Sequence, residues 1–261
     1  MEDFLILFIS FIVIMGIINI YKTKNSKVKY KAANLYTDDH NEYLCRYKEG
    51  LPVESIKEVQ KGANALSFMR MNLIDLVNEV KELFINKTQG TIDRHKQINF
   101  ENQNISMKEI KMLIERFDPD NISESTPADK YTSYSVNKGE KIVFCIREKA
   151  GNDNHHQIIN PNTLMFVAIH ELAHIMTISI GHEPDFWNNM RFLLAIAINT
   201  PCHDKYNNDT VPFYNELKNN GHSFINGKIY YYEDYSASNK GAAYCGTTIT
   251  TTPCKNSSCI V

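Results

Sequence analysis

Apolar positions recur every three or four residues between Asn64 and Asn86, at Leu66, Met69, Leu73, Leu76, Val77, Val80 and Leu83. That spacing predicts an amphipathic helix with one face on a core. Ser106 to Phe117 repeats the pattern more briefly through Ile110, Leu113 and Ile114, with Ser106 as its N-cap. The texture then turns to strand. Thr132 to Arg147 carries Tyr134 and Val136 before Asn137-Lys138-Gly139 and a β-rich run after it, which predicts a hairpin. From Asn160-Pro161-Asn162-Thr163 a helix is expected to run to about Ile178, apolar on almost every side and therefore central and buried. A further helix is expected from Asp185 to Asn199, and a second hairpin around Asn226-Gly227. Ser236 to Val261 is rich in Ser, Thr, Gly and Ala and predicts no definite element.

At the N-terminus the uncharged run Phe4 to Ile20 reads as a membrane-spanning helix at the short end of what crosses a bilayer. Lys22, Lys24, Lys27, Lys29 and Lys31 follow it, so the positive-inside rule places the N-terminus outside and the large domain on the cytoplasmic side of a host membrane or virion. The chain is accordingly expected to divide into an anchor at 1–21, a basic juxtamembrane tether at 22–60 and a globular domain at 61–261. With 43% hydrophobic residues a real core is within reach, and a net charge of −2 gives no general reason to bind nucleic acid. Six cysteines without a CxxC pair, in a domain facing the cytoplasm, are expected to be mostly reduced.

The candidate chemistry lies in the middle of the most apolar expected helix, in His170-Glu171-Leu172-Ala173-His174. Two histidines four apart on a helix present their imidazoles on one face, which suits two positions of a zinc ion. The glutamate beside that face reaches a water on the metal and takes its proton. Two imidazoles and a carboxylate inside a buried helix would cost several kcal/mol without partners or a metal, roughly the price of stranded polar groups. A catalytic site needs a third ligand and an open position. His182 in Gly181-His182-Glu183-Pro184-Asp185-Phe186-Trp187 is the leading candidate, with Glu183 and Asp185 as rivals. Cys202-His203 with Cys245, Cys254 and Cys259 matches no zinc module in its spacing.

HELAH followed by Gly-His and Phe-Trp resembles the WLM and SprT-like zincins, compact minigluzincin-type metallopeptidases of which large DNA viruses also encode similar domains. The likeness covers about residues 130 to 200, and seven residues separate His174 from His182. It implies an α+β fold, with a small antiparallel sheet packed on the HExxH helix. It also implies one Zn2+ per chain on His170, His174 and His182, and hydrolysis of peptide bonds in a protein or peptide substrate with Glu171 as general base. In zincins generally an edge strand aligns the substrate, and Lys141 to Arg147 is the expected strand; Tyr231, Tyr232 and Tyr244 are candidate oxyanion donors. The alternative is a catalytically inactive zincin fold serving as an anchored scaffold.

Overall fold

The computed structural model describes residues 8–15, 27–31, 41–46, 54–96, 98, 105–126, 129–148, 157–200, 224–225, 228–229 and 242–253. In chain order these form α1 (residues 8–15), β1 (Lys27–Lys31), β2 (Glu42–Arg46), α2 (Glu54–Lys81), α3 (Gln89–His95), α4 (Met107–Arg116), β3 (Ile122–Glu124), β4 (Tyr134–Val136) and β5 (Lys141–Phe144). Then come α5 (Pro161–Met176), α6 (Pro184–Asn199), β6 (Phe224–Ile225), β7 (Lys228–Ile229), β8 (Ala242–Tyr244) and β9 (Thr247–Ile249).

The helices follow from the sequence pattern. Leu66, Met69, Leu73, Leu76, Val77 and Val80 of α2 are all buried, and burying each large side chain is worth about 1.5–3 kcal/mol. At the start of α4, Ser106 and Glu109 form a reciprocal capping box. Pro161 opens α5, where its fixed φ suits the first turn and its missing N–H costs nothing. From Leu164 to Met176 every large apolar side chain of α5 is buried. α5 packs against α6, α4 and α2.

Five strands form one sheet in the order β1-β2-β3-β5-β4. The sheet is mixed rather than antiparallel: β2 and β3 run parallel, as do β3 and β5, while β1–β2 and β5–β4 are antiparallel. The physical reason is the crossover, because α2, α3 and α4 lie between β2 and β3 and return the chain in the same direction. β1 and β2 fall inside the stretch expected as a tether and are instead two strands of the sheet. The expected hairpin at Thr132–Arg147 is present as β4 and β5, but β5 is paired on both sides and, among the described residues, β4 and β1 are the outer strands.

The membrane anchor is corrected as well. Among the described residues no helix is long and apolar enough to cross a membrane. Within the run Phe4 to Ile20, only residues 8–15 are described, as α1. The single-pass topology, and the cytoplasmic orientation and membrane partnership drawn from it, are not supported.

Two contacts hold the sheet to its surroundings. Arg147 and Glu124, both almost fully buried, form a two-pronged ion pair, Nε to Oε1 at 2.8 Å and Nη2 to Oε2 at 2.6 Å. Arg147 also donates to the carbonyls of Arg46 and Glu58, and Glu124 accepts the backbone N–H of Arg46, so one buried cluster ties β2, β3, the end of β5 and the start of α2. Cys145, just after β5, forms a disulfide with Cys245 in the β8–β9 turn, a separation of 100 residues. Two of the six cysteines are thus paired rather than reduced, Cys45 is free and buried, and the other three lie outside the described residues.

Arg147→Ala strands the buried Glu124 carboxylate and should destabilise the fold by about 3–5 kcal/mol, whereas Lys61→Ala, which removes an exposed ion pair with Glu58, should cost about 0–1. Urea titration of both variants checks the contrast. Removing the Cys145–Cys245 bridge by Cys245→Ser should lower stability under non-reducing conditions by about 2–5 kcal/mol and leave a reduced sample unchanged.

Candidate metal centre

α5 carries His170 and His174 one turn apart, their ring centroids 4.9 Å from each other. The helix ends at Met176, and Gly181, at φ +88°, gives the connection its left-handed turn before α6 begins at Pro184. That turn brings His182 back onto the two helical imidazoles. Its Nε2 lies 3.1 Å from the Nε2 of His170, and one nitrogen from each of His170, His174 and His182 lies within 4.8 Å of the others.

The cluster can hold a metal ion. At about 2.0–2.1 Å from the metal, nitrogens at two corners of a tetrahedron stand about 3.3–3.4 Å apart, close to the observed His170–His182 spacing. The two helical imidazoles are also in the protonation state a metal requires. Burial, followed by the charges of the neighbouring imidazoles, pulls His170 down to about 3. Burial and the nearby His182 and Lys138 pull His174 down to about 4. Both rings are therefore neutral, with lone pairs available, at ordinary pH.

Phe186 forms the floor under all three ligands. It is fully buried, with ring centroids 4.9 Å from His170, 4.3 Å from His174 and 4.6 Å from His182. Trp187 stands beside His182 at 5.6 Å. The Phe-Trp pair noted in the sequence thus fixes ring orientation by packing.

The loop carrying His182 is clamped from two sides. Asp185 accepts from the Ser179 hydroxyl at 2.6 Å, which engages this rival ligand in closing the α5–α6 turn. Lys138, at the tip of the β4–β5 hairpin with φ +58°, donates to the carbonyls of Thr177 and Ser179 at 2.9 and 2.8 Å. Its ammonium thereby meets carbonyls that the end of α5 leaves without helical partners. Gly139 beside it lies against α4, where an added Cβ would come within 2.5 Å of the Arg116 carbonyl oxygen. On the far side, Asn189 donates to both Glu109 and Thr177 at 2.9 Å, joining α6 to α4 and to the end of α5. Glu183, the other rival, is the N-cap of α6 and stands outside the cluster.

Glu171 is 5% exposed. Burial pushes its carboxyl up to about 8, against the opposing effect of hydrogen bonds from the Ser135 hydroxyl and backbone N–H. Ser135 belongs to β4, which packs against α5. Tyr244 is buried nearby, its phenol bonded to the Ser133 hydroxyl and its ionisation raised first by burial and also by the charge of Glu171. Tyr231, Tyr232 and Cys202-His203 lie outside the described residues.

Sequence reasoning brought His170, His174 and His182 together, as the structure does, and missed the reach of Lys138. Lys138 belongs to a hairpin whose register against α5 no local pattern encodes. The turn Asn137-Lys138-Gly139 was visible, but not what its lysine reaches.

No family model matches the chain, and no solved structure matches it. It is similar to an uncharacterized protein of Acanthamoeba polyphaga mimivirus, 34% identical over 116 residues, covering 42% of this chain and 57% of that protein. It is also similar to an uncharacterized protein of Invertebrate iridescent virus 6, 26% identical over 125 residues, covering 48% of this chain and 66% of the relative. A third, from Invertebrate iridescent virus 3, is 38% identical over 73 residues, covering 28% of this chain and 42% of its own length. The matched region thus spans less than two thirds of each of these relatives.

His182→Ala removes one of three nitrogens from the cluster and should weaken divalent-metal binding by more than about a hundredfold, the upper end of what loss of an outer-shell partner costs. Titration with Co2+, followed by visible absorption, reads this directly, and equal affinity in wild type and variant would remove His182 from the ligand set.

Proposed function

We propose that this chain is a zinc-dependent peptidase of the zincin type, resembling the WLM and SprT-like enzymes, in which His170, His174 and His182 hold the metal and Glu171 is the general base. The observation that carries the reading is the convergence of three imidazoles, those of His170 and His174 held neutral by burial, beside the buried carboxyl of Glu171. A scaffold has no use for Glu171 at that position, whose burial has to be offset. Zinc bound there would supply a Lewis acid that polarises the scissile carbonyl and acidifies water toward a pKa of about 7.

Glu171 takes the proton of the attacking water and passes it to the leaving amine. A carboxyl pushed up to about 8 in the metal-free protein is a strong enough base to accept that proton near neutral pH, and a bound cation nearby brings its pKa back down. Phe186 and the walls of α5 and α6 keep the ligand rings oriented and bulk water away from their inner faces. The peptide is aligned along β4, an outer strand of the sheet among the described residues, because β5, which contains most of the run expected to do this, is paired on both sides. That three similar proteins are viral agrees with the expected virus-encoded zincin.

Glu171→Gln should lower kcat on an unfolded polypeptide such as reduced casein by about 10²–10⁴-fold while one zinc per chain is retained, as measured by fragment release and elemental analysis. Zinc retention with no cleavage by the wild type would turn the reading to an inactive zincin scaffold. Undiminished cleavage by the variant would refute Glu171 as base.

A further inference from the structure

His182 sits at the apex of a loop that is closed at its base. Ser179, three residues before it, donates its hydroxyl to the carboxylate of Asp185, three residues after it, at 2.6 Å. Between these two, Ile180 is 89% exposed and the space around Gly181 is open, so the loop is fixed at its base and by the ring packing of His182 rather than along its length. The base is in turn fixed from outside. Lys138 Nζ donates to the Thr177 and Ser179 carbonyls at 2.9 and 2.8 Å, and so joins the tip of the β4–β5 hairpin to the segment that leads into the third imidazole.

The residue at that tip runs against the preference of its own turn. The Gly139 N–H bonds to the Val136 carbonyl at 3.1 Å, which makes Asn137 and Lys138 the two central residues of a tight turn, with φ +47° and +58°. Positive φ at both centres is the I′ form, which favours asparagine followed by glycine because a side chain at the second centre crowds the backbone. Here the second centre is lysine. The glycine comes one place later, where an added Cβ would lie 2.5 Å from the Arg116 carbonyl oxygen. A lysine held in the left-handed region against local preference needs a tertiary reason, and its two carbonyl contacts supply one.

We propose that Lys138 is a positioning residue for the metal centre: by holding the base of the His182 loop it couples docking of the hairpin tip to binding of the third ligand, so that each strengthens the other. The inference goes beyond the peptidase reading and rests on His182 as a metal ligand, not on peptide hydrolysis. Coupling of this kind is reciprocal, and whatever factor the clamp adds to metal affinity, a bound metal adds to docking of the tip. A competing effect has the opposite sign, because an ammonium repels a cation bound nearby. Repulsion acts on a metal in the cluster whether or not His182 holds it, whereas positioning acts only through His182. The two are therefore separable.

The test titrates Co2+ into the full chain as wild type, Lys138→Met, His182→Ala and the double variant, read by visible absorption. Methionine keeps most of the lysine stem and bears the same backbone cost at φ +58°, but lacks the donors. Lys138→Met should weaken Co2+ binding about ten- to a hundredfold when His182 is present, as loss of an outer-shell partner does, and by less than about twofold when His182 is replaced. In the wild type, hydrogen exchange of the Gly139 amide, which closes the turn, should slow by the same factor at saturating Co2+, and this slowing should vanish in His182→Ala. The exchange reading needs no substitution at Lys138, so it decides the matter if Lys138→Met does not fold. Unchanged or raised affinity in Lys138→Met, an equal loss with and without His182, or a Gly139 amide indifferent to metal overturns the positioning role and leaves the peptidase reading standing. A wild type that binds no Co2+ overturns the metal centre and this inference with it.

Discussion

Three imidazoles and a carboxylate sit on or against a helix whose apolar side chains are otherwise shut away from water, and the surrounding structure answers the cost of keeping them there. Stranded polar groups in such a place would cost several kcal/mol in total, a large fraction of a domain's net stability of about 5–15 kcal/mol. Burial offsets some of that cost by changing protonation. His170 and His174 are held neutral, and Glu171 holds its proton to about pH 8 in the metal-free protein. Packing against Phe186 offsets part of the rest, and an ion held by the three imidazoles would offset more.

That constraint makes sense of the supports around α5. Lys138 and Asp185 fasten the loop that returns His182, and Asn189 joins the end of α5 to α4 and α6. Each of these supports acts between segments that the fold brings together, so the ligand geometry depends on the whole domain being folded. The Arg147–Glu124 pair has a similar role farther from the metal centre, fixing β3 and β5 and through them β4, which packs against α5. A buried pair of this kind contributes little net stability when intact and costs much when broken, which suits a role in holding register.

The disulfide adds a covalent tie to this frame. Cys145 follows β5 directly, and Cys245 follows Tyr244, whose phenol packs onto Ser133 just before β4. The C-terminal hairpin is in this way fastened to the side of the sheet that faces Glu171. The composition of residues 236–261 alone gave no reason to place it there.

Periodicity and short motifs determined a good deal. The helices α2, α4, α5 and α6, the β4–β5 hairpin and the convergence of His182 on HExxH were all legible, because each depends on residues close in sequence: a 3.6-residue repeat, a capping pair, a turn glycine. Tertiary structure alone decided the rest. Strands β1 and β2 lie in a polar stretch whose pairing across α2 no local pattern announces, and the parallel β2–β3 contact follows from the path of the crossover. The apolar run at the N-terminus reads as long enough for a bilayer, whereas among the described residues no helix is long and apolar enough to cross a membrane. Which strands pair, which cysteines meet across 100 residues, and that Lys138 reaches the end of α5 are facts about distant segments brought together, and sequence spacing carries no record of them.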